Sequence, residues 1–414
     1  MQERTKTEQE DRGRTDALTD LIRSGAQQLL AHALKVEVAE LLATYGDQRD
    51  EQGHARVVLS GHHPTREIQT GIGPVTVQVP KVRSRQGEPV TFHSALVPPY
   101  VRKTASLEAA IPWLYLKGIS TGEMQPALEA LVGPEAKGLS ASTVARLKQI
   151  WREDYDRWRH RRLDADQWVY IWVDGIYSGL RAETQRLCAL VVIGMNVHGE
   201  KHLLAMEDGI RESTQSWREV LLNLKTRGLT DPALAIGDGA LGFWAAVEEV
   251  FPGTRHQRCW CHKTQNVLNT LPKSVHPKAK QALQEIWRSE TKGLAEKAFD
   301  VFLATYELKY PKATACLQKD REALLMFYTF PAAHWPSLRT TNPIESTFGT
   351  IRHRTARTKG CLTRDGLLHM MFKLGQCAEK TWRRLRGFRE LAKVIAGIRF
   401  TDGIEETTTD SVAA

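Results

Sequence analysis

Long apolar runs are missing from this chain of 414 residues, although hydrophobic residues make up 42% of it. No stretch approaches the roughly 18 apolar residues that a membrane-spanning helix needs. Residues 1–14 are charged and lack an apolar segment, so we expect no signal peptide. Cysteine is scarce, and the six present (188, 259, 261, 316, 361 and 377) show no disulfide framework. These absences predict a cytoplasmic protein in a reducing compartment.

Acidic residues are also in deficit, because 57 Lys and Arg face 48 Asp and Glu, a net charge of +9. Such an excess favours a polyanionic partner, although many basic proteins bind none. The deficit is strongest at residues 351–359, which hold three Arg, one Lys and no acid. Just before this basic run stands segment 340–346, whose one acid is Glu345. A lone carboxylate beside so much positive charge suits a metal ligand working at a phosphate backbone.

Two further acids, Asp174 and Asp238, each follow an apolar run and precede a glycine. The runs at 167–173 and 233–237 predict two buried strands, each ending at its Asp. Open sheets bind ligands outside the carboxyl ends of their strands, so both carboxylates can stand at one edge. A strand-terminal Asp-Gly is more often an ordinary turn. Glu345 alone could equally be a helix N-terminal acid favoured by the helix dipole.

Three carboxylates gathered at one site would need a cation, since neighbouring carboxylates do not all stay ionised without one. Mg²⁺ or Mn²⁺ is the natural partner, because hard cations prefer oxygen ligands and often bind substrate phosphate as well. Two such ions about 3.5–4 Å apart would clamp the attacking and leaving oxygens of an in-line phosphoryl displacement. Spacing along the chain does not by itself bring the three acids together.

Several motifs in a fixed order resemble the transposases of bacterial insertion sequences in the Mutator class, over about residues 17–399. The matching segments are 69–74 (QTGIGP), 114–121 (LYLKGIST), 172–177 (WVDGIY), 257–264 (QRCWCHKT) and 341–346 (TNPIES). The resemblance implies an RNase H-like fold with a catalytic Asp-Asp-Glu triad at Asp174, Asp238 and Glu345. These three would be the metal ligands, holding two Mg²⁺ or Mn²⁺ ions.

The resemblance also implies a Cys-x-x-His pair at Cys259 and His262, and a catalytic basic residue seven positions after the glutamate, at Arg352. One departure is Phe348-Gly349, where the family pattern is more polar. The cluster of Cys259, Cys261 and His262 is too tightly spaced for a zinc site with four ligands. We instead expect His262 at a helix start near the active site, orienting Asp238 or a phosphate. Cys259 would be a buried structural residue.

The pattern around the two aspartates predicts the element order β-β-β-α-β-α. Strands are predicted at 167–173, 187–196, 201–206 and 233–237, with helices at 214–225 and 240–250. This order is typical of an RNase H-like core, and the resemblance places the first and fourth strands side by side. Residues 239–344 are too many for a simple connection. Helical patterns at 277–288, 292–306 and 311–327 predict an all-helical insertion there.

The first third of the chain has a different character. Residues 16–45 have helical periodicity, which favours a core-facing helix pair. Residues 66–70 and 75–79 flank a Gly-Ile-Gly-Pro turn and predict a β-hairpin. Two short helices joined near residues 133–138 predict a helix-turn-helix, with a helical connector or a dimer face as the alternative.

Residues expected to contact DNA lie in the hairpin region, the possible helix-turn-helix and the basic run. Trp335 stands ten residues before Glu345 in a predicted loop, where it would contact or stack on DNA. The full set is Lys81, Arg83, Lys117, Ser142, Thr143, Arg146, Lys148, Trp335, Asn342, Arg352, Arg354, Arg357 and Lys359.

The sequence therefore predicts an α/β protein with an RNase H-like mixed-sheet core that an all-helical insertion interrupts. A mostly helical N-terminal DNA-binding region with a β-hairpin precedes the core. The predicted boundaries are a disordered arm at 1–15, DNA-binding segments at 16–100 and 101–163, core parts at 164–270 and 336–400, the insertion at 271–335, and a disordered tail at 401–414.

The predicted function is a Mg²⁺-dependent DNA transposase that acts as a homodimer on double-stranded DNA, both terminal inverted repeats and target. When bound to DNA it would be associated with the nucleoid. One alternative is another RNase H-like nuclease, such as a junction resolvase, against which the N-terminal region and the insertion argue. The other is a non-catalytic DNA-binding protein descended from a transposase, which the presence of all three acids disfavours.

Overall fold

The computed structural model describes residues 17–86, 88–117, 119, 123–132, 141–179, 186–209, 211–357 and 363–406. The chain divides into two compact units, Met1–Leu147 and Lys148–Ala414, each with buried hydrophobic clusters of its own. The predicted arm, the turn of the predicted helix-turn-helix, Lys359 and residues 407–414 of the predicted tail lie outside the described residues.

The first described element of the first unit is one long helix, so the predicted helix pair is wrong. Helix α1, Ala17–Thr44, is unbroken and buries Leu34 and Val38, one turn apart, in two hydrophobic clusters. Four strands follow: β1 Val57–His62, β2 Arg66–Thr70, β3 Gly73–Val77 and β4 Pro80–Ser84. Strands β2 and β3 form the predicted antiparallel hairpin. Strand β1 pairs with β4, a pairing that the sequence analysis did not predict.

Three helices follow these strands: α2 Ala105–Lys117, α3 Met124–Val132 and α4 Ala141–Arg159. Leu107 and Ile111 of α2, Met124 and Leu128 of α3, and Leu147 of α4 share one buried cluster. Helices α3 and α4 are the pair that the sequence assigned to a helix-turn-helix, and they pack together through this cluster.

A mixed sheet forms the centre of the second unit, and five strands of the described chain belong to it in the order β7-β6-β5-β8-β9. Strand β5 is antiparallel to β6 and parallel to β8, and β9 is parallel to β8. Every residue of β6 is buried, as expected for a strand covered on both faces. The sheet confirms the predicted α/β class. Its strands are β5 Trp168–Ser178, β6 Leu187–Asn196, β7 Lys201–Gly209, β8 Leu234–Gly237 and β9 Arg255–Arg258.

The strand that carries Asp174 does not end there, contrary to the prediction. Strand β5 continues through Asp174 and Gly175 to Ser178, paired with β6 along this whole stretch. Its other neighbour, β8, stops at Gly237, and the last β5 residue paired with β8 is Trp172. Asp174 and Gly175 are therefore paired with β6 on one side, while on the other side they extend past the end of β8.

Two helices cover one part of this sheet: α5 Thr214–Thr226 and α6 Leu241–Val250. Helix α5 begins after Ser213, whose side chain accepts a hydrogen bond from the Ser216 N–H. Trp217 and Phe243 meet edge to face, with ring centroids 5.1 Å apart. Both lie in the cluster that includes Ile171 and Val173 of β5, so the helices fix the strand that carries Asp174.

Residues 260–338 are described throughout and contain helices and turns without a strand. The single helix predicted over 311–327 is broken into two helices and a 3₁₀ turn, Met326–Thr329. Phe299, Phe302, Phe327 and Tyr328 are buried within this segment. The helices are α7 Trp260–Leu268, α8 His276–Arg288, α9 Lys292–Tyr306, α10 Pro311–Gln318, α11 Arg321–Leu325 and α12 Trp335–Leu338.

The remaining elements close the second unit: α13 Asn342–Arg357, α14 Arg364–Glu379, α15 Leu391–Ile395, and a hairpin of β10 Phe400–Thr401 and β11 Ile404–Glu405. Helix α13 packs on β5 and α14 packs on β7. The hairpin extends beyond residue 400, where the sequence analysis placed the start of the tail. Across the described residues, every helix is too short or too polar to cross a membrane.

Candidate active site

Asp174 and Asp238 stand at matching positions of two adjacent parallel strands. The last paired positions of β5 and β8 are Trp172 and Ile236. Two residues further along the chain come Asp174, still within β5, and Asp238, directly after β8. The register therefore sets the two acids side by side at the carboxyl end of β8, the part of an open sheet where ligands bind.

Both aspartates are tied to their own backbone. Asp174 Oδ1 accepts a hydrogen bond of 2.8 Å from the Gly175 N–H. Asp238 Oδ1 accepts one of 2.9 Å from the Ala240 N–H, in a turn that leads directly into α6. These bonds limit the rotation of each carboxyl group and hold it where its strand delivers it.

Burial and like charge both disfavour ionisation of Asp174, whose residue surface is only 7% exposed. Burial, together with the negative charges of Asp238 and Glu212, raises the pKa of Asp174 to about 7. The positive charge of His262 acts in the opposite direction. A carboxylate in such surroundings is stabilised by a cation.

Glu345 reaches the same region from a helix that its own sequence positions. Helix α13 starts where the backbone N–H groups of Ile344 and Glu345 bond to the Thr341 carbonyl, at 2.9 and 3.0 Å. Ile344, Phe348 and Ile351 are fully buried, with the spacing of one helix face. Because α13 packs on β5, its first turn, with Glu345, lies beside the strand of Asp174.

His262 links Glu345 to the two aspartates. Its Nδ1 lies 3.8 Å from Glu345 Oε1. A hydrogen bond with Cys259 raises the pKa of His262 to about 9, and the negative charges of Asp174 and Asp238 also raise it. One imidazole thus interacts with all three acids. The sequence analysis had paired it with Asp238 or a phosphate, whereas its direct ion pair is with Glu345.

Thr341, which was not among the predicted site residues, is fully buried and contacts three other residues of the site. Its Oγ1 lies 3.0 Å from Glu345 Oε1, 3.4 Å from His262 Nδ1 and 3.4 Å from Cys259 Sγ. Its backbone N–H donates to the same Cys259 sulfur at 3.3 Å. Thr341, directly before α13, therefore holds the glutamate carboxyl through its hydroxyl.

Glu212 is a fourth acid at the site, also missed from the sequence. It lies between β7 and α5, and a Cβ added to Gly175 would stand 2.3 Å from its Oε1. Burial raises the pKa of Glu212, and the charge of Asp238 raises it further. The available signal was the Gly in Asp-Gly, which was taken for a turn residue but makes room for this side chain.

Cys259 is buried, as predicted, but its sulfur is also bonded. It ends the loop before α7 and accepts the two hydrogen bonds from Thr341. A hydrogen bond from Cys261 lowers the pKa of the Cys259 thiol well below its usual range, and one from His262 lowers it too. The same pairing raises the pKa of Cys261, whose side chain is exposed.

The basic residues expected at DNA are exposed wherever the structure describes their side chains. Lys81 and Arg83 alternate with buried Val82 on β4, and Arg146 and Lys148 flank buried Leu147 on α4. Arg146 forms an ion pair with Glu108. Five other predicted residues lie in helices whose side chains there are outside the described residues: Lys117 at the end of α2, Ser142 and Thr143 in the first turn of α4, and Arg354 and Arg357 in α13. Lys359 is itself outside the described residues.

Asn342 and Arg352 are both exposed on α13, the helix of Glu345. Arg352 is two turns beyond Glu345, and its guanidinium carbon lies 5.7 Å from the ring centroid of Phe348. Phe348 itself is fully buried. The apolar residue at this departure from the family pattern therefore serves the core beneath the helix.

The loop position predicted for Trp335 is wrong. Trp335 is the first residue of α12, and its Nε1 donates to the Phe330 carbonyl at 2.8 Å. Its ring packs edge to face against Tyr328 and Phe327, with centroids 4.8 and 5.5 Å apart. These contacts give the Trp335 ring a packing role, and its contact with DNA stays a prediction.

The donor set of the acids fits a hard divalent cation. Asp174, Asp238 and Glu345 offer carboxylate oxygens, the ligands that Mg²⁺ and Mn²⁺ prefer. The first of these carboxyls is buried beside like charges, which a bound cation would offset.

Comparison with known proteins identifies the family. The model of the Mutator family of transposases matches residues 1–382. The chain belongs to the Mutator family of transposases. It is 50% identical over 287 residues to the transposase for insertion sequence element IST2 of Acidithiobacillus ferrooxidans, covering 69% of this chain and 97% of that protein.

Other transposases are similarly related. The transposase for insertion sequence element IS6120 of Mycolicibacterium smegmatis is 48% identical over 297 residues, or 72% of this chain and 92% of its own. The transposase for ISRM5 of Rhizobium meliloti is 28% identical over 84% of this chain and 85% of its own. Family membership makes this Mutator-family transposase an enzyme of DNA transposition.

Proposed function

We propose that this transposase binds the terminal inverted repeats of an insertion sequence, hydrolyses the DNA at the element's ends, and joins the freed 3′-hydroxyl to target DNA. The observation that carries the proposal is the meeting of Asp174, Asp238 and Glu345 around His262, at the carboxyl end of β8. One metal-dependent phosphoryl-transfer site can serve both the hydrolysis and the joining reaction, because each reaction breaks one P–O bond and forms another.

The sheet supports an RNase H-like core as the frame of this site. Its first three strands are antiparallel neighbours, and the fourth lies parallel beside the first. This arrangement is the one that the family resemblance implied. It places the first two acids on adjacent strands, while the third arrives on a helix after the helical segment of residues 260–338.

Asp174, Asp238 and Glu345 would hold Mg²⁺ or Mn²⁺. Two such ions supply Lewis-acid chemistry that activates water and stabilises charge on the phosphate oxygens. Around them the protein contributes orientation. Thr341 holds the Glu345 carboxyl, and the turns after Asp174 and Asp238 hold theirs.

His262 and Arg352 would handle the negative charge of DNA. The raised pKa of His262, caused first by its hydrogen bond with Cys259, keeps a positive charge beside the acids at neutral pH. Arg352 lies exposed on α13, two turns from Glu345, where a phosphate of the bound strand can reach it. Both cations act through position, since no covalent protein–DNA intermediate is required.

End recognition would belong to the first unit. Lys81, Arg83, Arg146 and Lys148 present exposed positive charge there and at the start of the second unit. Helices α3 and α4 share a buried cluster, as the two helices of a DNA-binding motif do. Two copies of the chain would act together, because two element ends must be joined.

The test is a strand-transfer assay with labelled duplexes that carry the sequences flanking the gene. The variants are Asp174→Asn, Asp238→Asn and Glu345→Gln, each of which keeps size and removes the charge. The matched control is Glu322→Gln, at an exposed glutamate in the first turn of α11. Cleavage and joining are measured with Mg²⁺, and DNA binding is measured separately by gel shift.

We expect the three site variants to lose cleavage and joining while binding DNA like wild type, and the control to behave like wild type throughout. Joining at the wild-type rate by any site variant would remove that acid from the mechanism. A wild-type chain that binds the ends but never cuts them would favour the alternative of a non-catalytic DNA-binding protein. Preferential cutting of four-way junctions would favour a resolvase.

A further inference from the structure

A second set of metal-binding atoms shares Glu345 with the acid site. The sulfurs of Cys259 and Cys261 and a carboxylate oxygen of Glu345 all lie within 4.8 Å of one another. The two cysteines come from the junction of β9 and α7, whereas Glu345 comes from α13. The sequence argued against a zinc site because its ligands were too few and too tightly spaced. The fold adds Glu345, a ligand that is distant in the sequence.

A fourth donor, His262, lies beside Glu345. His262 Nδ1 lies 3.8 Å from Glu345 Oε1, and both this nitrogen and the Cys259 sulfur lie 3.4 Å from Thr341 Oγ1. Two thiolates, an imidazole and a carboxylate form a ligand set of the kind that zinc binds tetrahedrally. Two sulfurs at about 2.3 Å from one zinc ion are roughly 3.8 Å apart. Because the observed ligand atoms lie within 4.8 Å of one another, zinc binding requires only a small contraction of the cluster.

The cluster is accessible and chemically distinct from the acid site. Cys261 is exposed and offers an entry for an ion, while Cys259 is fully buried and gives the site a fixed wall. Thiolates select soft or borderline cations such as Zn²⁺, whereas carboxylates alone suit Mg²⁺. Only Glu345 is common to the two sets of ligands.

We propose that Cys259, Cys261 and Glu345, with His262 as the fourth ligand, bind Zn²⁺ and thereby inhibit the transposase. Binding releases to solvent the protons that the cysteine thiols and the His262 imidazolium carry, and it neutralises the Glu345 carboxylate. The acid site then keeps Asp174 and Asp238 but loses its third ligand. The binding half of this proposal stands on geometry alone, and the inhibitory half rests on the proposed function.

The binding half is tested with Co²⁺, whose thiolate complexes absorb in the near ultraviolet and whose tetrahedral complexes absorb in the visible. Full-length wild type, Cys261→Ser and Cys377→Ser are titrated under a non-thiol reductant. Cys377 is the matched control, a partly buried cysteine on α14. We expect one equivalent of thiolate-bound Co²⁺, displaced by Zn²⁺, in wild type and the control, and loss of this absorption in Cys261→Ser. Equal spectra from all three proteins would overturn the site.

The inhibitory half is tested by adding Zn²⁺ to the Mg²⁺-dependent strand-transfer reaction. Cys261→Ser should be as active as wild type without Zn²⁺, because Cys261 has no part in the proposed mechanism. It should require at least about tenfold more Zn²⁺ for half-inhibition, since loss of even an outer-shell partner weakens metal binding 10–100-fold. Equal Zn²⁺ sensitivity would refute the switch. A wild type without any strand transfer would refute the proposed function, while the Co²⁺ spectra would still decide the metal site.

Discussion

Gly239 is the position where one added methyl group should do most damage to the proposed active site. It follows Asp238 and has a φ of +88°, in the left-handed region that L side chains rarely adopt. A Cβ there would stand 1.0 Å from Arg258 Nη1. The substitution Gly239→Ala therefore strains the backbone and must also displace a buried guanidinium.

The expected magnitude follows from what Arg258 holds. Its residue surface is 5% exposed, and its Nε lies 3.4 Å from Asp320 Oδ2. Asp320 also pairs with Lys263, which is fully buried and donates to the Cys316 carbonyl at 2.7 Å. Breaking a buried pair costs about 3–5 kcal/mol. Because Asp320 keeps Lys263 as a partner, we take about 3 kcal/mol, to which the left-handed backbone adds about 1–2 kcal/mol.

Gly397→Ala is the matched control in the same unit. Gly397 has a φ of +76°, with nothing within 4 Å of an added Cβ. It should lose only the backbone contribution of about 1–2 kcal/mol. The assay is urea unfolding followed by tryptophan fluorescence, from which the free energy of unfolding is extrapolated to water.

A double-mutant cycle separates the clash from the backbone strain. In an Arg258→Ala background, Gly239→Ala should cost no more than Gly397→Ala, which gives a coupling energy of about 3 kcal/mol. The reasoning would be refuted if Gly239→Ala were no worse than Gly397→Ala in the wild-type background, or if Gly239→Ala and Arg258→Ala were additive.

Three further predictions concern other parts of the second unit. A hydrogen bond to Glu379 raises the pKa of His202 in the folded state. The pair therefore stabilises the fold fully at pH values below the unfolded-state pKa of about 6.5, and this stabilisation is lost as the pH rises through the folded-state pKa. The Tm deficit of Glu379→Gln should thus be largest near pH 6 and shrink at alkaline pH; a constant deficit would contradict this. Arg352→Ala should keep a near-normal Tm, reduce strand transfer strongly and lower the slope of log affinity against log salt by about 0.9; unchanged transfer and slope would make it a solvated helix residue. Thr341→Val should cost about 1 kcal/mol, or 2–4 °C in Tm, and slow strand transfer because Glu345 loses its hydrogen bond; wild-type transfer would show that this bond does not position the acid.

Elements with one dominant pattern were predictable from the sequence. The ten-residue apolar run of β6 was assigned its observed bounds, Leu187–Asn196, because a continuous β-branched and aliphatic stretch has one favourable place in a sheet. Helix α9 was also predicted with its observed bounds, Lys292–Tyr306. In both cases local propensity and tertiary packing agree.

The predictions failed where tertiary partners override local signals. The Asp-Gly at Asp174 is a turn signal, yet pairing with β6 carries the strand four residues further, to Ser178. Trp335 was placed in a loop ten residues before Glu345, but it begins α12 and its ring packs against Phe327 and Tyr328. Neither partner is visible in the local sequence.

Most residues of the candidate site were predictable from the sequence, but the contacts between them were not. The three acids followed from strand ends, the basic run and the family motifs. The contacts of His262 with Glu345 and of Thr341 with Cys259 depend on how α7 and α13 pack, and these helices are far apart in the sequence. Glu212 follows no motif that we used, and it became visible only through the space above Gly175.

The central claim is that Asp174, Asp238 and Glu345 together hold the catalytic metal ions. The most direct measurement is anomalous diffraction from crystals of the transposase bound to end DNA and Mn²⁺. The account predicts Mn²⁺ within coordination distance of carboxylate oxygens from all three residues and of a DNA phosphate. Any one of the three carboxyls standing more than about 10 Å from the ions in that complex would contradict the claim.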